Sequence, residues 1–380
     1  MSDRVVRVLQ VVGVMDRAGL ETWLMHVLRT IDRARFQLDF LVDTAAPGAY
    51  DEEIRSLGAR VLYAGPRRPL LYGRRFRGFL AQQGPYDVVH SHLNHLNGDI
   101  MRFAYAAGVP TRIAHSHTDT TAKERGARMP RRLFVRLMQH WISRYATHGL
   151  AASVPAAVSM FGAAWQQGSR RRVLHCGLDL STFAEAHERP SVRHSLNIPA
   201  DAWVIGQVGR FDDVKNHRLT IDTFAEVRQQ VPDAWLLLVG EGPLRAEIQD
   251  QARRLNILDR VCLTGNRNDV PRLLCAAIDT FMFPSKFEGL GMALVEAQAA
   301  GLPCLVSDSV PTEADVIPQL ITRLSINQSW AAALMATRTH HRRREASLER
   351  VLQSDFAIHR GVEELEKLYA SSQSCGRDQT

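Results

Sequence analysis

The chain reads as an α/β protein of two doubly wound domains, and three observations carry that reading. Its 380 residues exceed the roughly 250–300 at which a single hydrophobic core stops growing. Short apolar runs alternate with segments of helical spacing along most of its length, the pattern of parallel sheets covered by helices on both faces. The alternation also runs twice. Between the two series, at about 172–199, Gly177, Pro190 and Pro199 stand among mixed charges with little periodicity.

The first series opens with a buried strand at 7–12, ending in Gly13. Leu20, Leu24, Val27, Leu28 and Ile31 then recur at helical spacing. A strand at 36–42, a helix at 51–57 closed by Gly58, and a short strand at 60–63 follow. The run 87–92 reads as a strand entering a polar loop, 111–115 as another strand, and 127–146 as a long basic helix. The second series has strands at 204–208, 234–239, 261–264, 280–283 and 304–307. Helices are expected at 216–230, 243–255, 269–276 and after Gly289, with a last one at 355–368. The expected organisation is a first domain over 1–176, a connection over 177–200 and a second domain over 201–354. A terminal helix over 355–370 and a tail over 371–380 complete it.

Composition is that of a soluble globular protein, 45% hydrophobic and 23% charged, without low-complexity segments or repeats. The net charge of +7 is uneven. Residues 1–190 hold 26 Lys and Arg against 16 Asp and Glu, and the remainder 21 against 24. The excess gathers at Arg67, Arg68, Arg74, Arg75 and Arg77, at Arg125, Arg128, Arg131, Arg132 and Arg136, and at Arg170, Arg171 and Arg172. A basic half fits an anionic partner such as a membrane surface, lipid phosphate or nucleic acid, and equally fits solvated faces. The five cysteines form no pair at metal-like spacing, and Cys262 and Cys304 sit in apolar runs as core residues, which fits a reducing compartment. The run 1–13 lacks the apolar region of a signal peptide, and 149–164 is too short and too weakly apolar to span a bilayer. A cytosolic protein with at most peripheral membrane contact is expected.

The stretch 283–301 is the most informative. A Gly-Leu-Gly turn, Gly289 to Gly291, opens a helix that Gly301 is placed to close, and glycine-entered helix N-termini bind phosphate through free N–H groups and the dipole. Glu288 stands at that entrance, where it would face a polar ligand such as a sugar hydroxyl. Glu296, eight residues on, lies roughly 12 Å along a helix, the length scale of a nucleotide sugar. Arg210 and Lys215 lie on the loop after the strand 204–208, where basic side chains can neutralise a diphosphate. Beside Asp212 and Asp213, and taken alone, they read rather as two surface cations. No Asp-x-Asp pair stands at a strand end to hold a divalent ion. Gly240 belongs to a tight strand-to-helix turn, and Asn266 and Arg267 to an amide-rich loop able to read a base edge. His90, His92, His95, His115 and His117 cluster in the first half, but no carboxylate or cysteine accompanies them at ligand spacing, so no metal site is expected. Gly13 and Gly19 offer backbone N–H groups to a phosphate or sugar.

Taken together, these pieces resemble glycosyltransferase family 4, nucleotide-sugar-dependent enzymes of GT-B architecture, and look closest to bacterial transferases of exopolysaccharide or capsule assembly. The likeness runs through Ala18-Gly19-Leu20-Glu21-Thr22, Ile113 to Thr118, Gly209-Arg210 with Lys215, Val239 to Pro243, and the Glu288 to Glu296 block. It implies two Rossmann-like domains facing across a cleft, with the last helix crossing back to the first. It further implies that Arg210 and Lys215 hold the donor diphosphate and that Glu288 contacts the donor sugar. Gly289, Leu290 and Gly291 would lie near sugar and phosphate, Glu296 on the ribose, Asn266 and Arg267 near the base, and Gly240 within the donor-binding set. Gly19 would lie near the donor phosphate, and His117, with His115 as runner-up, would be the first-domain active-site histidine. The implied reaction retains configuration and needs no metal or other cofactor. The donor is expected to be UDP-linked, and the acceptor a lipid-linked saccharide brought by an anionic membrane surface, with no nucleic acid partner. A non-catalytic scaffold subunit and a nucleotide-sugar epimerase are the alternatives. Two departures stand out: Ala18 where the family often has glycine, and Cys176 where it has asparagine in an Asn-Gly-hydrophobic-Asp turn.

Overall fold

Why each sheet forms where it does follows from its strands, which are short, buried and rich in Val, Leu and Phe. The structure, a computed structural model, describes residues 4–65, 72–121, 124, 126–339 and 343–371. The chain divides into two units, one of residues up to Leu178 together with those from Ile358, the other Asp179–Ala357.

The first unit holds a seven-stranded parallel sheet. Its strands are β1 (Val6–Val12), β2 (Phe36–Val42), β3 (Arg60–Tyr63), β4 (Val88–Ser91), β5 (Thr111–Ser116), β6 (His148–Ala151) and β7 (Arg171–Val173). Their order is β3-β2-β1-β4-β5-β6-β7, so the winding reverses between β1 and β4. The second unit holds β8 (Val204–Val208), β9 (Trp235–Val239), β10 (Val261–Leu263), β11 (Thr280–Phe283), β12 (Cys304–Ser307) and β13 (Ile321–Leu324). Their order is β10-β9-β8-β11-β12-β13, with the reversal between β8 and β11. Such reversals open a crevice at the carboxyl ends of the two strands concerned, the usual ligand position in open α/β sheets.

The strands missing from the sequence reading are β6, β7 and β13. Two are outermost and partly polar, Arg-Arg-Val and Ile-Thr-Arg-Leu, and carry little apolar signal. The helices Tyr72–Gln83 and Asn97–Ala106 were also unassigned, because glycines interrupt both. Gly98 has a packing reason: a Cβ there would stand 2.7 Å from the Met138 carbonyl on the helix Met129–Tyr145. The terminal helix Ile358–Ala370 belongs to the first unit, packing on the helix Gly19–Thr30 and on β1.

The stretch 177–200 is more ordered than its composition implies, with helices Ser181–Ala184 and Arg189–His194. Arg193 is fully buried and anchors it to the amino edge of the second sheet. Its guanidinium donates to the carbonyls of Ala277, Ala200 and Ala202 and pairs with Asp279 at 2.6 Å. Asp279 also accepts the Val204 N–H, which ties β8 to β11 at their start. Replacing Arg193 by Leu leaves the carbonyls of Ala277, Ala200 and Ala202 without that donor, each buried acceptor costing about 1–3 kcal/mol, while Asp279 keeps Arg189 and the Val204 N–H. Urea unfolding of Arg193→Leu is expected to show a clearly lower midpoint for the second unit; an unchanged midpoint would contradict this.

Candidate active site

In the second unit the loops at the carboxyl edge are laced together by their backbones. The Gly209 N–H donates to Val239 O, Gly240 N–H to Gly265 O, and Phe211 N–H to Glu241 O. Gly240 is required there, since a Cβ would fall 2.0 Å from the Gly209 carbonyl. On this platform Lys215 ends a short 3₁₀ turn capped by Asp212, whose Oδ1 accepts the Lys215 N–H. The Lys215 Nζ reaches across the β8/β11 reversal to Glu288 Oε1 at 2.5 Å and lies 5.1 Å from the centre of the Phe283 ring. Asp213 pairs with Lys286 at 2.6 Å and Asp212 caps the turn, so neither acid neutralises Lys215 or Arg210. Arg210 is exposed and has no ionic partner among the described residues.

The helix of the Glu288 to Glu296 block is Met292–Ala299, entered by Gly291 in the left-handed region at φ 92°. Phe283 and Val310 crowd the position a Cβ would take there, so glycine is needed twice over. Glu288, Gly289 and Leu290 thus stand on the loop, and helical rise does not measure the separation of the two carboxylates. Glu296 lies in the second turn, half-buried, with no hydrogen-bond partner for its carboxyl among the described residues. Desolvation pushes that carboxyl up to about 7. Asn266 and Arg267 follow β10, the outermost strand on that side; Asn266 is exposed, while Arg267 is held in a bidentate pair with Asp269 at 2.7 and 2.8 Å. The loops therefore bring Lys215 and Glu288 together directly, with Gly291 beside Phe283. His217, just beyond Lys215, was not singled out from sequence. It is buried against Phe211, both its ring nitrogens lack partners among the described residues, and burial and Lys215 lower its pKa to about 4.

In the first unit, His-x-His at the ends of β4 and β5 places four rings on one face, because residues two apart on a strand share a face. Gln10 of β1 stands beside His90 in register. The rings bond to one another: His90 Nε2 to His115 Nδ1 at 3.1 Å and His92 Nδ1 to His117 Nε2 at 2.9 Å. Gln10 meets His92 at 2.9 Å and Tyr369 at 3.0 Å, and Tyr369 meets His90 at 2.8 Å. Trp23 packs edge-on against His115 and tilted against His117, with ring centres 5.3 and 5.4 Å apart. Burial drives the pKa of all four imidazoles down, His117 to about 3 although one edge of it is exposed, with mutual repulsion adding for the other three. The ring nitrogens of His90, His92 and His115 lie within 4.8 Å of one another. A metal would have to displace bonds that His90 and His92 make to the other rings, Tyr369 and Gln10, while His115 Nε2 makes none among the described residues.

Both departures from the family pattern have structural answers. Ala18 is extended at φ −133°, so its Cβ costs nothing, and Gly19 begins the helix Gly19–Thr30 with open space around it. Cys176 is buried with Sγ 3.5 Å from His117 Nδ1.

Two domain families match the chain: glycosyl transferase 4-like domain over residues 18–177 and glycosyl transferases group 1 over residues 188–338. The chain is 36% identical over 374 residues to the putative glycosyltransferase EpsF of Bacillus subtilis, covering 96% of both. It is 28% identical over 240 residues to the Escherichia coli UDP-Gal:alpha-D-GlcNAc-diphosphoundecaprenol alpha-1,3-galactosyltransferase, covering 60% of this chain and 59% of that one. The structure of Anabaena HepE with UDP and glucose superposes with a TM-score of 0.78 at 17% identity, covering 96% of this chain and all of that one.

The histidine face sets a pH limit on the first unit. The folded imidazoles resist protonation while the unfolded ones titrate near 6.5, so the unfolded chain takes up more protons below that pH. Stability is full above about 6.5 and falls on acidification by about 1.4 kcal/mol per pH unit for each ring kept neutral. Thermal melts from pH 7.5 to 5 should show a steep loss, made shallower by His92→Gln. A pH-independent melting temperature would contradict the burial of neutral rings.

Proposed function

The chain belongs to the glycosyltransferases that join a glycosyl transferase 4-like domain to a glycosyl transferases group 1 domain, and on that premise we propose that it transfers a sugar from a UDP-sugar to a lipid-linked saccharide during exopolysaccharide or capsule synthesis. The observation that carries this is the Lys215–Glu288 pair at the β8/β11 reversal, beside a helix N-terminus entered by Gly291. A donor diphosphate takes the Lys215 ammonium, with Arg210 and the free N–H groups of the Met292–Ala299 helix sharing the charge. Glu288 faces the sugar hydroxyls. As the C1–O bond to the diphosphate breaks, the acceptor oxygen bonds to C1 and its proton passes to the leaving phosphate. These donors gather negative charge that grows in the transition state, so the reading needs no metal. It also has retention of configuration, with His117 and Gly19 of the first unit assigned to the donor's reacting end. The galactosyltransferase supports the lipid-diphosphate part of the reading through its own name.

Purified protein given UDP-sugars and undecaprenyl-diphosphate-linked saccharides, with and without EDTA, is expected to form a product whose anomeric coupling matches the donor's. UDP binding without transfer to any acceptor would favour a scaffold role. Lys215→Ala is expected to lower kcat/KM by about 10²–10³, the scale for removing one transition-state donor. Glu296→Gln should mainly raise donor KM. Ribose hydroxyls donate to the Glu296 carboxylate and pull its pKa below the 7 of the free site, so UDP binding at pH 7 releases a proton. Calorimetry in buffers of different ionisation enthalpy should detect that release, and its persistence in Glu296→Gln would refute the ribose role.

The proposed location is the cytoplasmic face of a membrane. Among the described residues no helix is long and apolar enough to cross one. On the helix Met129–Tyr145, Met129, Leu133 and Leu137 form an exposed apolar stripe with Phe134 beside it, flanked by exposed Arg128, Arg132 and Arg136. Arg74, Arg75 and Arg77 are exposed on the helix Tyr72–Gln83, while Arg67, Arg68 and Arg125 lie outside the described residues. Part of the basic excess has structural partners: Arg131 with Glu124, Arg172 with Glu364, and Arg171 with Ser143 and Phe161. An anionic lipid surface suits the remainder. Sedimentation with phosphatidylglycerol vesicles is expected for the wild type, weakened by salt and by Leu133→Ser with Leu137→Ser. Equal sedimentation with neutral vesicles would remove the electrostatic part of this docking.

A further inference from the structure

We infer that Tyr369, on the terminal helix, is a positioning residue for His117, acting through a one-way hydrogen-bond relay that holds all four clustered histidines as Nε2–H tautomers. The inference rests on the reading of His117 as the sugar-facing residue of the first unit. The relay follows from what each atom can do. A neutral imidazole donates from one nitrogen and accepts at the other, so a closed series of such bonds has only two possible directions. Its ends choose between them.

At one end Cys176 lies against His117 Nδ1, and burial pushes its thiol up to about 12, so at neutral pH it is an S–H donor. The imidazole nitrogen is a far better acceptor than the thiol sulfur, so the S–H donates to His117 Nδ1 and the His117 Nε2–H donates to His92 Nδ1. His92 Nε2–H then donates to Gln10 Oε1, the Gln10 amide N–H to the Tyr369 oxygen, and Tyr369 O–H to His90 Nδ1. His90 Nε2–H donates to His115 Nδ1. The last hydrogen, on His115 Nε2, faces the Leu174 carbonyl without closing a full bond. In the reverse direction two lone pairs would meet there, His115 Nε2 against a carbonyl that only accepts, and Gln10 would have to turn over. Both ends thus select one direction.

Gln10 is the link that makes Tyr369 matter. An amide has one accepting and one donating end, so Tyr369, by accepting its N–H, fixes which end meets His92. Fixing His92 fixes the atom of His117 that donates. Tyr369 is fully buried and its hydroxyl is kept protonated by that burial. Without the hydroxyl, Gln10 can rotate and His92 loses its orienting partner.

The test uses full-length protein labelled with ¹⁵N-histidine. In the wild type, long-range ¹H–¹⁵N spectra should show His90, His92, His115 and His117 all as Nε2–H tautomers. Any one of them as Nδ1–H overturns the relay, and this holds even if no variant folds. Tyr369→Phe keeps the ring and removes the hydroxyl. It is expected to shift the His90, His92 and His117 nitrogens and to lower kcat about tenfold with donor KM unchanged. Unshifted His92 and His117 resonances in that variant overturn the role of Tyr369. Full turnover by His117→Ala would instead overturn the reading of His117, and with it any catalytic consequence of Tyr369, while leaving the tautomers as described.

Discussion

Each sheet reverses its winding beside its first strand, and the chemistry of the chain is arranged by that one constraint. Helices before and after the reversal cover opposite faces, so the loops leaving the two central strands diverge and leave their carboxyl ends uncovered. In the first unit those strands are β1 and β4, which bring Gln10 beside His90. In the second they are β8 and β11, followed by Lys215 and Glu288. Neither pairing is close in sequence. Both follow from strand order and parallel register.

The two crevices solve opposite electrostatic problems. The second keeps its charges and lets each neutralise the other, with Lys215 and Glu288 about one-fifth and one-tenth exposed. A partly solvated ion pair adds little to stability. It does hold both groups in place for a ligand that carries its own charges and hydroxyls. The first crevice avoids charge altogether. Four imidazoles sit side by side with no carboxylate hydrogen-bonded to any of them, and a buried unpaired cation would cost far more than a neutral ring with its hydrogen bonds satisfied. Neutral rings joined end to end are the state that burial favours.

Much of this was legible in the residues. Apolar runs marked the inner strands of both sheets except β6, and glycine spacing marked the helix after Gly291. The edge strands β7 and β13 were not, since an edge strand needs few apolar residues to keep its place. Arg193 was invisible for a different reason: its value lies in carbonyls at Ala277, Ala200 and Ala202, and backbone acceptors leave no mark on sequence. The His-x-His pairs were visible as a cluster, but nothing in their spacing pointed to the residues they bond to. Those partners, Gln10 and Tyr369, come from opposite ends of the chain. Cys176 looked like a loss at its turn, because the comparison was with the hydrogen-bonding ends of an asparagine. Its thiol instead meets His117.

The terminal helix has a consequence for how the protein is made. The first unit is interrupted in sequence by the whole of the second, and Gln10 meets Tyr369 across 359 positions. A ribosome releases the six strands of the second unit before the helix that packs on Gly19–Thr30 and β1 has left the exit tunnel. The second unit can therefore finish folding while the first still exposes an apolar face and lacks the Tyr369 hydroxyl that meets His90 and Gln10. Contacts of such long range form late and slowly. The helix Ile358–Ala370 closes the first unit's core, so Tyr369 reaches Gln10 and His90 only after the whole second unit has been made.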